Sequence, residues 1–152
     1  MSRPTRIALI AVAAVLFALV SAGVARVLSA NSAERAEIER LVAAQAAGDA
    51  ARAARTVDGC VGDPRCTARM EAIVKRVAAP GTVNVLRLDP SATAALGAVT
   101  GTARVAWKAG SRLPVVQCVR VRRSGSLVSG FTVRLLRVSE PIPRESGCPS
   151  RF

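Results

Sequence analysis

Four cysteines carry the most definite chemistry in this chain. Cys60 and Cys66 bracket a turn-rich loop, whereas Cys118 and Cys148 stand alone farther along the sequence. The CxxC spacing typical of zinc sites is missing, and the 152 residues include no histidine. An even number of cysteines without metal-ligand spacing indicates disulfides, which persist in oxidising compartments. Of the three pairings that four cysteines allow, we prefer Cys60 with Cys66 and Cys118 with Cys148.

Groups suited to catalysis are scarce. The chain contains neither histidine nor tyrosine. No serine or cysteine therefore has a histidine with which to form a nucleophilic pair, and the glycines do not form the GxxxxGK[ST] phosphate loop. We predict no catalytic residue, no metal ligand and no cofactor, and a protein that is not an enzyme.

Basic residues dominate the charge. Lysine and arginine number 22 against 10 acidic residues, which gives a formal net charge of +12. Several fall in predicted strands and define a candidate basic surface: Arg104, Arg120, Arg122 and Arg134, with Lys108, Arg123 and Arg137 in the same strands. Such a surface attracts anionic lipid headgroups or acidic cell-wall polymer; the alternative is an ordinary solvated sheet face. Nucleic acid is not an expected partner, because one Trp and three Phe offer little stacking area.

Three side chains of the predicted sheet form a candidate pocket: Trp107, Gln117 and Phe131. Gln117 is the one polar residue on an otherwise valine-rich strand face. A polar group inside a core either bonds the end of a helix or points into a ligand pocket. Simple core packing is the competing interpretation of Trp107.

The elements that must position these side chains begin with an apolar run at residues 7–25. This run holds 19 residues without a charge. This length matches the hydrocarbon core of a bilayer. We predict a cytoplasmic N-terminus at 1–6 and a transmembrane helix or signal sequence at 7–27. The uncharged length favours a retained signal anchor, whereas small residues before Ala25 and Ala30 favour cleavage after one of them and secretion. The cysteines place the remainder outside the cell membrane.

An extracytoplasmic α+β domain is predicted at 31–140, followed by an irregular tail at 141–152 that a disulfide pins. Asn31 or Ser32 is a candidate N-cap of the first domain helix, and the glutamates that follow, including Glu34, suit the positive end of a helix dipole. Gly48-Asp49 interrupts this helix. Further helices are expected at 50–57 and after the Asp63-Pro64 pair.

Alternating residues then predict consecutive antiparallel strands. A turn is expected at Ser124-Gly125 together with Ser129-Gly130. The predicted strands are 82–88, 100–108, 113–123 and 131–138.

This order of elements, with the Gly-Asp break in Leu41-Val42-Ala43-Ala44-Gln45-Ala46-Ala47-Gly48-Asp49, resembles the nuclear transport factor two-like superfamily of cone folds over residues 33–140. The resemblance implies helices packed on the concave face of a curved antiparallel sheet, around a pocket. Enzymes of that superfamily generally use Asp, Glu, His or Tyr inside the cone. Here only Asp58 and Asp89 lie near the expected rim, and Asp58-Gly59 and Asp89-Pro90 both fit turns.

A membrane segment directly before such a domain is also similar to the architecture of mammalian-cell-entry-associated membrane proteins, which are thought to accompany lipid-importing complexes. We therefore expect a single-pass, membrane-anchored extracytoplasmic protein that acts as a non-enzymatic accessory or scaffold subunit of a bacterial envelope complex. Its expected partners are the membrane and, with it, other envelope proteins, anionic lipid or cell-wall polymer.

The alternative is a secreted cone-fold module that binds a small apolar ligand or, with less support, a cone-fold isomerase or dehydratase. The interior of the cone discriminates between these functions. An open cavity beside Trp107 and Gln117 would favour the ligand-binding protein, whereas an interior occupied by side chains would favour the scaffold.

Overall fold

The computed structural model describes residues 3–91, 98–126 and 130–152. Three helices and four strands follow one another: α1 (Arg3–Ala46), α2 (Ala50–Thr56), α3 (Pro64–Val77), β1 (Val83–Asp89), β2 (Val99–Ala109), β3 (Val115–Ser126) and β4 (Gly130–Val138). The strands form one antiparallel sheet in the order β1-β2-β3-β4. The predicted α+β class is confirmed, since a long apolar helix precedes helices packed on a sheet that is flat to slightly curved.

The apolar segment and the first domain helix form one continuous helix, α1, of 44 residues. At 1.5 Å per residue it is about 66 Å long. The N-cap predicted at Asn31 or Ser32 is therefore wrong, and both side chains have other partners. Ser32 Oγ donates to the carbonyl oxygen of Leu28 (3.0 Å), and Asn31 Oδ1 accepts a bond from Arg123 (2.9 Å). Neither side chain is left to cap a new helix.

The two halves of α1 have different surroundings. In its most apolar 18-residue window no side chain is buried, and the helix is long and apolar enough there to cross a membrane. Among the residues of α1 whose burial is described, the first buried one is Ala30. Beyond it, an apolar stripe at helical spacing is buried against the sheet: Ile38, Leu41, Val42 and Ala46. One helix thus supplies both a membrane-compatible segment and part of the domain core.

Aspartates begin the other two helices, as predicted. Asp49 accepts a hydrogen bond from the backbone N–H of Arg52 (2.8 Å), and Asp63 accepts one from that of Arg65 (2.9 Å). These bonds satisfy N–H groups that a helix start leaves without a partner, and Pro64 opens α3. The apolar stripe of α3 is buried: Met70, Ile73, Val74 and Val77.

The inner face of the sheet supplies the rest of the core. Ala103, Val105 and Trp107 of β2 and Val119 and Val121 of β3 are all buried in one cluster with residues of the three helices. The alternation predicted for β2 is therefore confirmed.

The predicted turn at Ser124-Gly125 is wrong, because β3 runs through both residues. Ser124 pairs with Thr132 and Ser126 pairs with Gly130, so the ladder to β4 continues past the expected reversal. Ser129 lies outside the described residues.

The tail at 139–152 crosses the outer face of the sheet. Cys118 is bonded to Cys148 and Cys60 to Cys66, which is the preferred pairing. Backbone bonds also hold the tail, since the N–H of Ile142 donates to the carbonyl oxygen of Val116 (2.8 Å). Val116 and Cys118 are consequently buried although they face away from the helices. Closing a loop of about 31 residues stabilises the fold by about 4 kcal/mol in the chain-entropy account.

Gly101 of β2 lies directly beneath the main chain of Ser91. A Cβ at this position would overlap the carbonyl oxygen of Ser91. We expect Gly101→Ala to lower the free energy of unfolding by about 1–3 kcal/mol, because an overpacked position forces the backbone to shift. Chemical unfolding of the full chain in detergent micelles, followed by the fluorescence of Trp107, measures this change.

Gly147→Ala is the matched control, because a Cβ there meets nothing within 4 Å and the residue has no positive φ. Equal unfolding free energies for the two variants would show that the Ser91 segment yields without cost.

Candidate functional site

Trp107 and Gln117, two of the three candidate pocket residues, lie side by side in the core. Their exposed fractions are 1% and 0%, so no water-sized space adjoins the Gln117 side chain. Trp107 Nε1 donates to Gln117 Oε1 (2.9 Å), and Gln117 Nε2 donates to the carbonyl oxygen of Ser139 (3.2 Å). Gln117 therefore fastens the sheet interior to the start of the tail. The side chain of the third candidate, Phe131, lies outside the described residues.

A buried polar cluster lies where α1 enters the domain. Glu34 is 0% exposed, and its Oε2 lies 2.5 Å from Arg123 Nη2 and accepts a bond from Arg123 Nε (2.7 Å). Glu34 also accepts bonds from the backbone N–H (2.8 Å) and the hydroxyl (2.7 Å) of Ser91. Arg123 Nη2 donates to Asn31 Oδ1 (2.9 Å). We call Asn31, Glu34, Ser91 and Arg123 the Glu34 cluster.

The Glu34 cluster joins three parts of the chain that are far apart in sequence: α1, the end of β3 and the segment after β1. Burying a charge is costly unless it is paired and hydrogen-bonded. Here both carboxylate oxygens accept bonds, and the Arg123 side chain is only 9% exposed. Because the protein itself occupies both oxygens, the arrangement is suited to positioning α1 on the sheet and not to acid-base chemistry.

The candidate basic surface is partly covered by the tail. Arg104 donates to the carbonyl oxygen of Ser146 (3.3 Å). Arg120 donates to that of Ser150 (2.8 Å), and its guanidinium lies 5.3 Å from the centre of the Phe152 ring. Carbonyl oxygens of the tail thus accept hydrogen bonds from the guanidinium groups of these two residues.

The other two members of the basic surface remain at its open end. Arg122 and Arg134 face each other across β3 and β4, and both are exposed. Arg134 Nη1 lies 3.4 Å from Asp58 Oδ2. Arg123 lies in the same strand but faces the helices as part of the Glu34 cluster, because neighbouring residues of a strand point to opposite faces.

The two carboxylates considered for acid-base chemistry are both paired with arginine at the surface. Asp58 contacts Arg134, and Asp89 lies 2.9 Å from Arg87. Their side chains are 46% and 43% exposed, so water screens both pairs. Neither carboxylate has the enclosed setting that prepares a general acid or base.

A cleft of about 490 Å³ opens beside the outer edge of β4. The loop closed by the Cys60–Cys66 disulfide and the first half of α3 form one wall, and residues 136–138 form the other. Met70 and Ile73 contribute apolar surface. Its basic lining residues are Arg65, Arg69 and Arg137. No local sequence pattern indicates this cleft, because its two walls are more than 60 positions apart in the chain.

No protein-family model, curated protein or solved structure matches this chain. Its function is therefore inferred from its own residues.

The Glu34 cluster was also missed from sequence, although a signal for one member exists. Glu34 precedes Ile38 by four positions and therefore shares the helix face of the buried stripe. Extending that stripe back by one turn would have identified Glu34 as buried. Nothing in the sequence marks Arg123 as its partner, because the two residues are 89 positions apart.

We expect Glu34→Gln to lower the free energy of unfolding by about 3–5 kcal/mol, because it leaves the charge of Arg123 buried without its counter-ion. The measurement is chemical unfolding of the full chain in micelles. Replacing both partners, with Glu34→Gln and Arg123→Met, should recover part of this loss.

Glu37→Gln serves as the control for this prediction. It removes the exposed pair with Arg40 and should change the free energy by less than about 1 kcal/mol. A loss at position 34 no greater than that at position 37 would contradict the structural role of the cluster.

Proposed function

We propose that this protein is a single-pass membrane protein whose external domain acts as a non-enzymatic accessory or scaffold subunit of a bacterial envelope complex. The continuity of α1 is the observation that carries the proposal. One helix extends from the uncharged segment into the core, where Ile38, Leu41 and Val42 are buried. Because the anchoring helix is also part of the domain core, the domain is held at a fixed height above the bilayer. A subunit that positions other proteins requires such a fixed height.

Removal of the apolar segment as a secretory signal is the competing interpretation. Cleavage after Ala30 would remove a residue that is only 5% exposed and would put Asn31, a member of the Glu34 cluster, at the new terminus. Cleavage after Ala25 would leave the packed part of α1 intact and is the more plausible secreted form. Phe17, Leu19 and Val20 are 65–75% exposed on the protein, so the uncleaved chain needs a bilayer to cover them.

The two disulfides support an external domain, because such bonds persist in oxidising compartments. The uses of the carboxylates support a non-enzymatic role. Asp49 and Asp63 cap helices, Asp58 and Asp89 pair with arginine, and Glu34 is enclosed by its partners.

Kinship with the cone-fold superfamily, and with mammalian-cell-entry-associated membrane proteins, is part of the proposal. The Gly48-Asp49 break between α1 and α2, and helices on one face of an antiparallel sheet, are compatible with a cone-like fold. The bonded pair of Trp107 and Gln117 occupies the interior where a ligand would lie. This favours the scaffold over a binder of small apolar ligands.

The proposal is tested by the intact mass of the protein from carbonate-washed membranes and from the soluble fraction, before and after reduction. We expect a full-length membrane species that gains about 4 Da, because each of the two disulfides takes up two hydrogens. In mild detergent it should migrate in a particle larger than the purified protein in the same detergent.

Three outcomes would count against this function. A soluble species that begins at Arg26 or Asn31 would overturn the anchor. An unchanged mass on reduction would undermine the external placement. Migration at the size of the purified protein, from membranes solubilised gently, would contradict a role as a subunit of a complex.

A further inference from the structure

We propose that Arg122 and Arg134 form a docking surface for the anionic phospholipid headgroups of the bilayer that holds α1. This inference deepens the proposed function and rests on it, because it requires α1 to be anchored. It draws on three independent features of the structure: the height of the domain above the apolar segment, the orientation of the sheet and the pairing of like charges.

The height of the domain follows from the continuity of α1. Asn31 and Glu34 lie six and nine residues beyond Ala25, the last residue of the uncharged run. With α1 upright, these spacings place them about 9 Å and 14 Å above the hydrocarbon boundary. The headgroup layer of one leaflet is about 5–8 Å thick. The level of the Glu34 cluster is therefore within a Debye length of the headgroups at physiological salt.

The sheet is oriented with the ends of β1 and β3 toward the bilayer. The segment that leads into β1 is bonded to the far end of α1, through the N–H of Ala79 and the carbonyl oxygen of Ala46 (3.0 Å). Ser91, after the end of β1, is bonded to Glu34. β1 consequently runs back along α1 toward the membrane, and β3, which is parallel to β1 in this antiparallel order, does the same.

Arg122 and Arg134 lie at this membrane-proximal end. Arg122 is the neighbour of Arg123, which contacts both Asn31 and Glu34, and it points to the opposite, open face. Arg134 is its direct partner on β4. Both side chains are exposed and can extend several ångströms toward the headgroups.

Like charges directly opposite one another on neighbouring strands are destabilising. The structure contains two such pairs on this face, Arg120 with Arg137 and Arg122 with Arg134. The pair farther from the bilayer is covered by the tail, since Arg120 donates to Ser150 and Arg137 Nη1 to the carbonyl oxygen of Phe152 (3.3 Å).

At the pair nearer the bilayer, Arg122 with Arg134, one acidic side chain partly compensates the positive charge. Asp58 lies 3.4 Å from Arg134, and no salt bridge reaches Arg122 from the described residues. Two guanidinium groups with one exposed carboxylate retain a net positive charge. An anionic headgroup provides the missing negative charge at the right height.

The test uses the full-length protein reconstituted in phosphatidylcholine vesicles that contain a trace of spin-labelled phosphatidylglycerol or spin-labelled phosphatidylcholine. The motionally restricted fraction of each label gives the preference for the anionic lipid. A basic residue near an anionic surface contributes roughly fivefold in association at low salt. We expect wild type to prefer phosphatidylglycerol, and Arg122→Gln with Arg134→Gln to lose at least threefold of that preference. In 1 M salt, where the Debye length is about 3 Å, the difference should vanish.

Arg52→Gln with Lys75→Gln is the matched control, because it removes the same charge from exposed sites on α2 and α3 and should keep the wild-type preference. The single variant Arg122→Gln should unfold at or above the wild-type temperature, since it relieves a like-charge pair, and should show about half of the effect. An unchanged preference in both Arg122 variants, or an equal loss in the control, would overturn the docking surface.

Extraction with alkaline carbonate separates this failure from that of the proposed function. Retained protein with no lipid preference refutes only the headgroup contact, whereas released protein refutes the anchor and the docking surface together. If the arginines instead mediate salt-sensitive binding of soluble polyglutamate, with no lipid preference, the surface serves an acidic polymer and the proposal is wrong.

Discussion

The buried contact between Glu34 and Arg123 fixes the position of α1 relative to the sheet. Apolar packing of Ile38 and Leu41 gives α1 most of its attraction to the core, but such packing is not directional. The ion pair is directional: a one-residue shift of α1 would rotate Glu34 by about 100° away from Arg123 and leave two buried charges without partners. Such an arrangement costs several kilocalories per mole, so a single register of α1 is strongly preferred.

The two faces of the sheet are closed by different physical means. The inner face is apolar and is covered by the three helices, which share with it a single core. The outer face carries arginines around Val116 and Cys118 and cannot be closed by a hydrophobic layer. A tail rich in free carbonyl oxygens suits that face, because the carbonyls accept hydrogen bonds from Arg104 and Arg120. The Cys118–Cys148 disulfide also holds the tail there, since it removes most of the conformational entropy that the tail would gain by leaving the sheet.

Local features of the fold were predictable from sequence, and tertiary ones were predictable only where chemistry constrains them. Asp49 and Asp63 cap helices as expected, because capping depends on a few adjacent residues. The disulfide pairing was preferred correctly because a short loop and a nearby tail were available. The N-cap prediction at Asn31 or Ser32 failed, since both residues have strong capping tendencies that the continuing helix overrides by giving each another partner. For Gln117 the sequence left a helix end and a pocket as alternatives. The structure satisfies it instead through Trp107 and the tail, two partners that no local pattern identifies.

If α1 anchors the domain as proposed, the absence of a flexible linker between anchor and domain restricts the choice of partners. The domain cannot search the volume above the membrane, as a domain on a long flexible tether does. The strands run along α1, so the outer edge of β4 and the cleft beside it lie at the side of the domain when the helix stands upright. A protein that presents its own external surface at the same height can approach that cleft by lateral diffusion. For such a neighbour the second contact is effectively intramolecular once both are in one membrane, so even a modest interface suffices for association. For the membrane-anchored protein proposed above, this geometry favours membrane neighbours over soluble molecules as the partners of the domain.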